Sequence, residues 1–556
     1  MNPVSRGRSA TEWPAARIGR IALAAVPAVF LGLFFVYPLA SIIGAVIVDV
    51  QPGTVLGDAR LRSVIWFTTW QAAVSTVLTL TAGLPAAYLL ARFRFPGRAT
   101  LRVATLVAFV LPTVVVGAAF AGSRPSLGSM FAAHVFFNLA VVVRVVGSFW
   151  SQLDPACEDV AAEMGATGLR RFTDVLLPLA RPSIVGAATL VFLFTFTSFG
   201  VALLLAGPAR ATIEVEIFRQ TSQLLNLPVA AALTLVQLAI VTALLWLTSR
   251  TESRAGVRQA LVSSHGAARA PRTMGERVFV AVTAPLLAVA VLAPPLRLIW
   301  RSVRTPTGLT LQRYLDLGGV RRGSALPIAP LGAIMSSLRV AAGAATVAIV
   351  VGVIASWVIA RSRSGARTNM RPGKRAHLRS GSRGSSWLAG LSAVPLGVSA
   401  VTVGFGYVVA FDSGPLDLRG SVWLLVAAQA VVALPFVVRL VEPVLTSTRH
   451  DLTEQAAALG ASPWQTTRDV LLPVASRAIM GAAAFAFAVS LGEFGASAFV
   501  ARLDSPTMPI AIVRLLSQPG AASLGQATAM SVVLMAVTAG VTVAIDRFRV
   551  GTIGRL

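Results

Sequence analysis

The segment Asp159-Val-Ala-Ala-Glu-Met-Gly165 recurs as Glu454-Gln-Ala-Ala-Ala-Leu-Gly460, at a separation of 295 residues in the numbering. At the same separation, Asp174-Val-Leu-Leu-Pro178 recurs as Asp469-Val-Leu-Leu-Pro473. Both copies run from an acidic residue through small alanines to a glycine, and then to Leu-Leu-Pro. We interpret the chain as two homologous halves that repeat in parallel, a common way to build a transporter.

The repeat continues upstream in a different register. Ala91-Arg92 aligns with Ala360-Arg361 at a separation of 269 residues, and Pro112 aligns with Pro395 at 283. The difference falls where the second half carries a longer basic segment, residues 361–386, which is rich in Arg, Ser and Gly. We predict that this segment is a disordered insertion beside anionic lipid.

Composition places the chain in a membrane. Of its 556 residues, 55% are hydrophobic and 13% are charged, and the mean hydropathy is +0.76, which is too apolar for a water-soluble protein of this length. A spanning helix needs about 20 mostly apolar residues. Stretches that satisfy this lie at about 20–48, 63–91, 101–122, 129–150, 182–206, 228–249, 278–300, 331–360, 387–410, 421–444, 477–501 and 525–545. The sequence therefore predicts an all-α polytopic membrane protein with about 12 transmembrane helices.

Charge orients these helices. Arginines cluster after the second, sixth and eighth stretches, in residues 92–98, 250–272 and 361–383. The positive-inside rule places these loops and both termini on the cytoplasmic side of a bacterial inner membrane. Because the net charge of +26 is spread over short loops rather than one basic surface, we expect the bilayer and no nucleic acid as partner.

The domain prediction follows from the repeat and the charges. Its parts are a cytoplasmic N-terminus (1–19), a first half (20–249, with a loop at about 151–181), a basic linker (250–277), a second half (278–546, with the equivalent loop at about 445–476) and a cytoplasmic C-terminus (547–556).

The repeated loop is more elaborate than a connection requires. Asp159 or Glu454 falls in the first turn of a short helix, where a carboxylate offsets the positive end of the helix dipole. Gly165 and Gly460 permit a helix end and a tight change of direction. We expect Pro178 and its counterpart to break the chain before the next span. Such a helical hairpin suits insertion into a groove on a cytoplasmic protein.

These loops resemble the EAA loop, the coupling motif of ABC-importer permeases. The fused arrangement is similar to the ferric-iron and thiamine permease subfamily, as are Ala87-Tyr-Leu-Leu-Ala-Arg-Phe-Arg-Phe-Pro-Gly97, Leu111-Pro-Thr-Val-Val-Val-Gly117 and Ser490-Leu-Gly-Glu-Phe-Gly495. The resemblance implies a type I ABC-importer fold and an ATP-driven importer of ferric iron or thiamine. It also implies two partners, namely two copies of a cytoplasmic ATPase subunit and an extracytoplasmic solute-binding protein.

By that resemblance, a defined set of loop residues couples the chain to the ATPase. They are Asp159, Ala161, Ala162, Gly165, Leu177, Pro178, Glu454, Ala456, Ala457, Gly460, Leu472 and Pro473. The first copy departs from the motif, because Asp159 and Val160 stand where Glu and Ala are usual. We therefore expect looser coupling in the first half.

ATP hydrolysis is expected in a separate subunit, so the chain is predicted not to be an enzyme. A phosphate loop needs an upstream glycine and a Ser or Thr after its lysine, but Gly373-Lys374 precedes Arg375 and position 368 is Thr368. Cys157 is the sole cysteine and the four histidines are scattered, so we expect no metal site and no cofactor.

Polar residues within spans are candidates for the solute pathway. We hypothesise that Thr195, Thr197, Ser198 and Glu493 line or gate it. For the hydroxyls, bonding to their own helix carbonyls is the favoured alternative, whereas for Glu493 the pathway is favoured. Snorkelling into the membrane interface suffices to explain Arg144 and Arg439.

One rival class has the same outline. Twelve spans in two parallel halves also characterise secondary transporters of the major facilitator class. A duplicated docking helix is not expected in proteins of that class. An intramembrane enzyme would need a catalytic constellation, and the sequence offers none.

Overall fold

A computed structural model gives the conformation of most of the chain. It describes residues 14–49, 57–122, 124–154, 156–207, 209–254, 268–306, 308–320, 323–368, 383–412, 418, 421–447, 452, 455–456, 458–502 and 504–550. Most of the predicted basic insertion, nearly half of the linker and most of both predicted termini lie outside these residues. The predicted domain boundaries therefore remain a prediction.

The described residues are almost entirely helical. In the first half the helices are α1 Pro14–Leu31, a π-helical turn Gly32–Val36, α2 Tyr37–Asp49, α3 Ala59–Arg92, α4 Arg98–Val110, α5 Thr113–Phe120, α6 Leu127–Gln152, α7 Ala156–Glu163, α8 Gly168–Arg170, a π-helical turn Arg171–Leu176, α9 Leu177–Phe196, α10 Gly200–Leu205, α11 Ile213–Ser222 and α12 Leu227–Arg254.

The second half repeats this order. Its elements are α13 Met274–Val303, the antiparallel pair β1 Arg304–Thr305 and β2 Gly308–Leu309, α14 Gln312–Leu315, a 3-10 turn Asp316–Gly318, α15 Pro330–Thr368, α16 Arg383–Ala393, a 3-10 turn Val394–Gly397, α17 Ala400–Ala410, α18 Val422–Ser447, α19 Pro463–Gln465, a π-helical turn Thr466–Leu471, α20 Leu472–Gly492, α21 Ser497–Val500, α22 Met508–Leu516 and α23 Ala521–Val550.

The predicted spans are confirmed. Ten helices in the described residues are long and apolar enough to cross a membrane, or up to 12 if each of two bent pairs counts as one span. The pairs are α4 with α5, bent by 105°, and α16 with α17, bent by 102°. The third and ninth predicted spans are therefore sharply broken rather than straight.

Close helix packing verifies the repeat. A Cβ on Gly83 of α3 would lie 2.7 Å from Val142 of α6, and a Cβ on Gly352 of α15 would lie 2.7 Å from Val437 of α18. Gly83 and Gly352 are 269 residues apart, and Val142 and Val437 are 295 residues apart, as the sequence repeat predicts. Glycine at both contacts lets the helix backbones approach closely, as is common between membrane helices.

The alignment of the two halves around Pro112 differs from the prediction. Pro112 immediately precedes α5, whereas Ser399, not Pro395, immediately precedes α17 and accepts a hydrogen bond from the N–H of Thr402 at 3.0 Å. The structural equivalent of Pro112 is therefore Ser399, and the alignment with Pro395 was wrong. Either residue can begin a helix, because proline lacks an N–H that would go unused there and serine supplies a capping oxygen.

The spans after the two loops begin and end earlier than predicted. Pro178 does not break the chain, because the preceding π-helical turn runs directly into α9. The N–H of Leu177 donates to the carbonyl of Phe172, one residue further back than in an α-helix. The same turn precedes α20, and both spans stop short of their predicted ends, at Phe196 and Gly492.

The first span of each half packs on the other half. Tyr37 of α2 donates to the carbonyl of Ala410 at the end of α17, at 3.3 Å. Arg301 of α13 donates to carbonyls at the end of α5, including that of Ala121 at 2.8 Å. These contacts satisfy carbonyls that have no partner within their own helix, and they fasten the two halves together.

Candidate functional site: two helical loops and a cavity between the halves

The two loops share one fold. In each, a glycine at φ +85° ends a short helix, and the following alanine donates its N–H to the carbonyl five residues back, as in a Schellman cap. These residues are Gly165, Ala166 and Ala161 in the first loop (3.0 Å), and Gly460, Ala461 and Ala456 in the second (2.9 Å). Glycine is required here because other residues rarely adopt a positive φ.

An exposed apolar side chain precedes each glycine. Met164 is 83% exposed and Leu459 is 88% exposed. Trp464, in the turn after the second glycine, is also exposed. Exposed apolar residues at a loop tip mark a surface for a partner protein. The sequence analysis missed Met164 and Leu459, although an apolar residue before each glycine was the available signal.

The predicted coupling residues lie on and below these loops. Ala161 and Ala456 are half-buried, Leu177 and Pro178 are half-buried at the start of α9, and Leu472 and Pro473 are exposed at the start of α20. Asp159 and Ala162 lie in α7, but their side chains are not described. Glu454 and Ala457 lie outside the described residues.

A buried ion pair anchors the first loop. Arg92, the last residue of α3, contacts Glu158 of α7 at 2.7 Å and donates to the carbonyl of Leu153 at 3.1 Å. Both charged side chains are buried. The acid that holds this loop is therefore Glu158, one residue before the predicted Asp159.

The second loop is held differently. Arg361, the counterpart of Arg92, stacks over the ring of Trp357 at 4.6 Å and lies 3.5 Å from the hydroxyl of Thr467. The position equivalent to Glu158 is Thr453, which has no charge and lies outside the described residues. The contacts that the described residues make at Arg92 and Arg361 therefore differ between the halves, as does the residue at the Glu158 position.

A cavity of about 320 Å³ lies between the halves. Its lining comes from both sequence repeats and centres on the breaks after α9 and α20. Its aromatic side chains are Phe109, Phe137, Phe194, Phe199, Phe436, Phe485 and Phe494, and its acidic side chains are Glu214 and Glu493. Among the described residues that line it, none is basic apart from His134.

The predicted pathway residues do not all reach this cavity. Thr197, Ser198 and Glu493 line it, whereas Thr195 does not. Thr195 is buried and donates to the carbonyl of Val191 at 2.8 Å. Thr197 also donates to its own helix. The hydroxyls of Thr195 and Thr197 therefore bond to carbonyls of their own helix, which was the favoured alternative to a place in the pathway.

Glu493 caps a short helix while facing the cavity. Its carboxylate accepts hydrogen bonds from the N–H of Ala496 at 2.7 Å and from the N–H and hydroxyl of Ser497 at 3.0 Å and 2.6 Å. The amide of Gln429 in α18 donates to the Ser497 hydroxyl at 3.2 Å. The carboxylate is thus held in place at the start of α21.

The first half has an equivalent polar contact that the sequence did not reveal. His134 of α6 occupies the position equivalent to Gln429, and its ring nitrogens lie 3.0 Å from the hydroxyls of Ser75 and Ser198. The ring is buried. In both halves, a polar side chain from the long helix therefore fixes the break in the neighbouring span.

Glu214 lies between the predicted fifth and sixth spans, and it is fully buried in α11. Its carboxylate accepts a hydrogen bond from Gln237 of α12 at 2.5 Å. Burial raises the pKa of Glu214 to about 7, against the lowering effect of hydrogen bonds from Ser399 and Gln237. Since Ser399 belongs to the second half, this contact crosses the interface.

Arg144 and Arg439 also differ from expectation. They line a second cavity of about 180 Å³, which shares Val110, Phe436 and Phe485 with the central cavity. The two arginines occupy equivalent positions in the repeat, on the side of the coupling loops. They therefore face the space between the halves rather than only the membrane interface. Among the described residues, no group of three or more His, Cys, Asp or Glu side chains could hold a metal ion.

Comparison with known proteins identifies both halves. Residues 82–256 and 373–550 match the family described as binding-protein-dependent transport system inner membrane component. The chain is 25% identical to the thiamine transport system permease protein ThiP of Salmonella typhimurium, over 84% of this chain and 87% of that protein.

Two further relatives show the range of the similarity. A probable ABC transporter permease protein, y4fN of Sinorhizobium fredii, is 26% identical over 82% of each chain. A putative 2-aminoethylphosphonate transport system permease protein, PhnV of Salmonella typhimurium, is 29% identical over 43% of this chain and 79% of that protein.

Proposed function

Because the chain belongs to the family of binding-protein-dependent transport system inner membrane components, we propose that it moves a small organic cation of the thiamine type through the cavity between its halves. The family makes the chain a permease subunit, a multi-pass inner-membrane protein with no catalytic role of its own. It also makes the major facilitator alternative the weaker one, because that class does not account for the family match.

The lining of the central cavity carries the substrate proposal. Glu214 and Glu493 supply a carboxyl group from each half, and seven phenylalanines surround them. Aromatic faces attract quaternary ammonium groups through cation–π interaction, worth about 0.5–2 kcal/mol each. Thiamine carries such a charge on its thiazolium ring, together with a flat pyrimidine that can stack on aromatic side chains.

Other solutes fit this lining less well. The phosphonate of 2-aminoethylphosphonate would meet buried carboxyl groups. Ferric iron prefers several hard oxygen ligands at one point, but the described residues contain no group of three or more His, Cys, Asp or Glu side chains that could hold a metal ion. The name of the thiamine permease relatives supports the same choice.

The coupling loops would bind two copies of a cytoplasmic ATPase subunit, which hydrolyses the ATP. The exposed Met164 and Leu459 support this proposal, because each would enter an apolar groove of one copy. Asp159, Gly165, Glu454 and Gly460 remain the proposed coupling residues of the motif. An extracytoplasmic solute-binding protein would deliver the solute to the opposite face. Both termini would be cytoplasmic.

Movement of the loops would reach the cavity through single helices. α9 and α20 begin at the loops and end at the breaks that carry Thr197, Ser198 and Glu493. A shift of either loop therefore displaces the cavity wall without an intermediate element.

The experiment is uptake of labelled thiamine into cells that express the chain with its ATPase and binding protein. We expect Glu493→Gln and Glu214→Gln each to reduce uptake at least tenfold, and an excess of 2-aminoethylphosphonate not to compete. Asp504→Asn, at an exposed acid outside the cavity, is the matched control. Full uptake by both cavity variants would reject the cation pathway.

A further inference from the structure

A third cavity, of about 440 Å³, lies in the first half on the side of the coupling loops. Four arginines line it, namely Arg94, Arg98, Arg102 and Arg144, and Ser148 adds a hydroxyl. Its volume is within the usual range for small-molecule sites, which is about 300–1,000 Å³. None of the described residues that line it is acidic.

Two of the guanidinium groups share a single acceptor. Arg98 donates to the carbonyl of Leu90 through two nitrogens, at 3.1 Å and 2.8 Å, and Arg102 donates to the same oxygen at 3.2 Å. Leu90 lies in the last turn of α3, where carbonyls have no helical partner. One oxygen therefore holds two like charges side by side. The negative end of the helix dipole offsets part of this charge, and a bound anion would offset more of it.

Two acids of the described residues on this side of the protein are already engaged. Glu158 contacts Arg92 at 2.7 Å, and Glu276 contacts Arg269 at 2.6 Å. Arg269 belongs to the basic linker (250–277), and its neighbour Ala268 lines the cavity. These two carboxylates therefore pair with arginines that do not line the cavity.

The positive-inside rule accounts for arginines on this face but not for their convergence. In the second half, the register that relates Pro112 to Ser399 places Ser385 and Ala389 opposite Arg98 and Arg102. The second half lies in the same membrane and has the same topology, yet it lacks both arginines. The second half meets the positive-inside rule with the basic residues of 361–383 instead. The rule therefore does not fix arginines at these two positions, and a ligand specific to the first half would explain them.

We propose that this cavity binds the phosphoryl group of an organic anion. Guanidinium groups match phosphate oxygens in charge and in bidentate geometry, and the cavity is large enough for an organic group attached to the phosphate. Either a phospholipid headgroup or a soluble phosphate ester in the cytoplasm supplies this chemistry.

Such a ligand would act on solute release. Arg144 lines both this cavity and the smaller one that joins the central cavity. A bound phosphoryl group would draw α4 and α6 together through their arginines beside the inner exit. This inference does not depend on the identity of the transported cation.

The test measures binding of two probes to the purified full chain at constant ionic strength. Inorganic pyrophosphate in detergent, followed by calorimetry, represents soluble phosphate esters. For lipid headgroups, native mass spectrometry compares the binding of phosphatidylglycerol with that of phosphatidylcholine. We expect at least one probe to bind, and Arg98→Gln/Arg102→Gln to weaken that binding at least tenfold.

Two further variants keep the test decisive. If the double variant does not fold, Arg144→Gln replaces it, because this substitution leaves the Leu90 contacts intact. The probe that binds the wild-type chain should then bind Arg144→Gln at least threefold more weakly. Arg181→Gln/Arg277→Gln removes two exposed arginines outside the cavity and should leave binding unchanged. The proposal is overturned if neither probe binds, or if the cavity variants and the control pair change binding equally.

Discussion

The rings of Phe199 and Phe494 stack across the interface of the two halves, with their centroids 5.0 Å apart and 12° between their planes. The two residues occupy equivalent positions in the repeat, one in each break. Gly200 lies beside them, where an added Cβ would be 3.4 Å from the Phe494 ring. The two breaks therefore meet at the ends of α9 and α20 that are farthest from the coupling loops.

This stack should seal the pathway in the state that the structure represents. We expect Phe199→Ala/Phe494→Ala to let thiamine leak from proteoliposomes without ATP, because the double variant removes a contact worth about 0.5–1.5 kcal/mol beyond the buried area. Phe485→Ala is the control, since Phe485 lines the cavity but pairs with Phe436 of the same half. Equal leakage from both variants would contradict the assignment.

The exposed loop tips should bind the ATPase. We expect Met164→Ser and Leu459→Ser each to reduce recovery of the ATPase in co-purification, and the double variant to abolish uptake. Met274→Ser tests specificity, because Met274 is also exposed on the predicted cytoplasmic side but lies outside both loops. If the first half couples more loosely, Leu459→Ser will have the larger effect.

The Arg92 and Glu158 pair should determine how firmly the first loop is attached. Glu158→Gln leaves a buried guanidinium without its counter-charge, which typically costs about 3–5 kcal/mol. We expect a melting temperature several degrees lower and faster proteolysis near the loop. Glu163→Gln, at an exposed acid of the same helix, should behave as wild type. Arg92→Met/Glu158→Met should be more stable than the single variant.

The features that sequence predicted are those that depend on local pattern. Apolar length gives the spans, and a glycine at φ +85° in each loop realises the turn that Gly165 and Gly460 indicate. The separations of 269 and 295 residues hold because equivalent glycines pack on equivalent valines. These properties are encoded within single segments or within the repeat itself.

The features that sequence did not predict depend on contacts between distant segments. Glu214 lies between two predicted spans, where sequence alone suggests an exposed acid, but in the structure it receives hydrogen bonds from Ser399 and Gln237. The bend before α5 is stabilised from the second half, because Gly492 packs against Pro112. Neither partner is near in sequence, and no periodicity indicates the pairing.

Glu214 should make stability depend on pH. Its pKa is raised from 4.5 to about 7 by burial, so the folded state binds a proton that the unfolded state has released above about pH 4.5. This stabilisation is complete at low pH and is lost as pH rises through 7, by at most roughly 3 kcal/mol. We expect the melting temperature of the purified chain to fall between pH 5 and 8, and Glu214→Gln to flatten that dependence. An unchanged slope in the variant would rule out Glu214 as its source.

Gly165 and Gly460 should matter for coupling rather than for folding. A Cβ at either position meets no atom within 4 Å, so substitution by alanine strains only the φ of +85°, at a cost of about 1–2 kcal/mol. The last turn of each short helix would loosen and displace the neighbouring Met164 or Leu459. We expect Gly165→Ala/Gly460→Ala to be produced at wild-type levels yet to show weaker uptake per ATP hydrolysed. Gly404→Ala is the informative contrast, because its Cβ would lie 2.7 Å from the backbone of Ala496 and should lower the amount of folded protein. If the loop variant loses folded protein to the same extent, its glycines serve the fold and not the coupling.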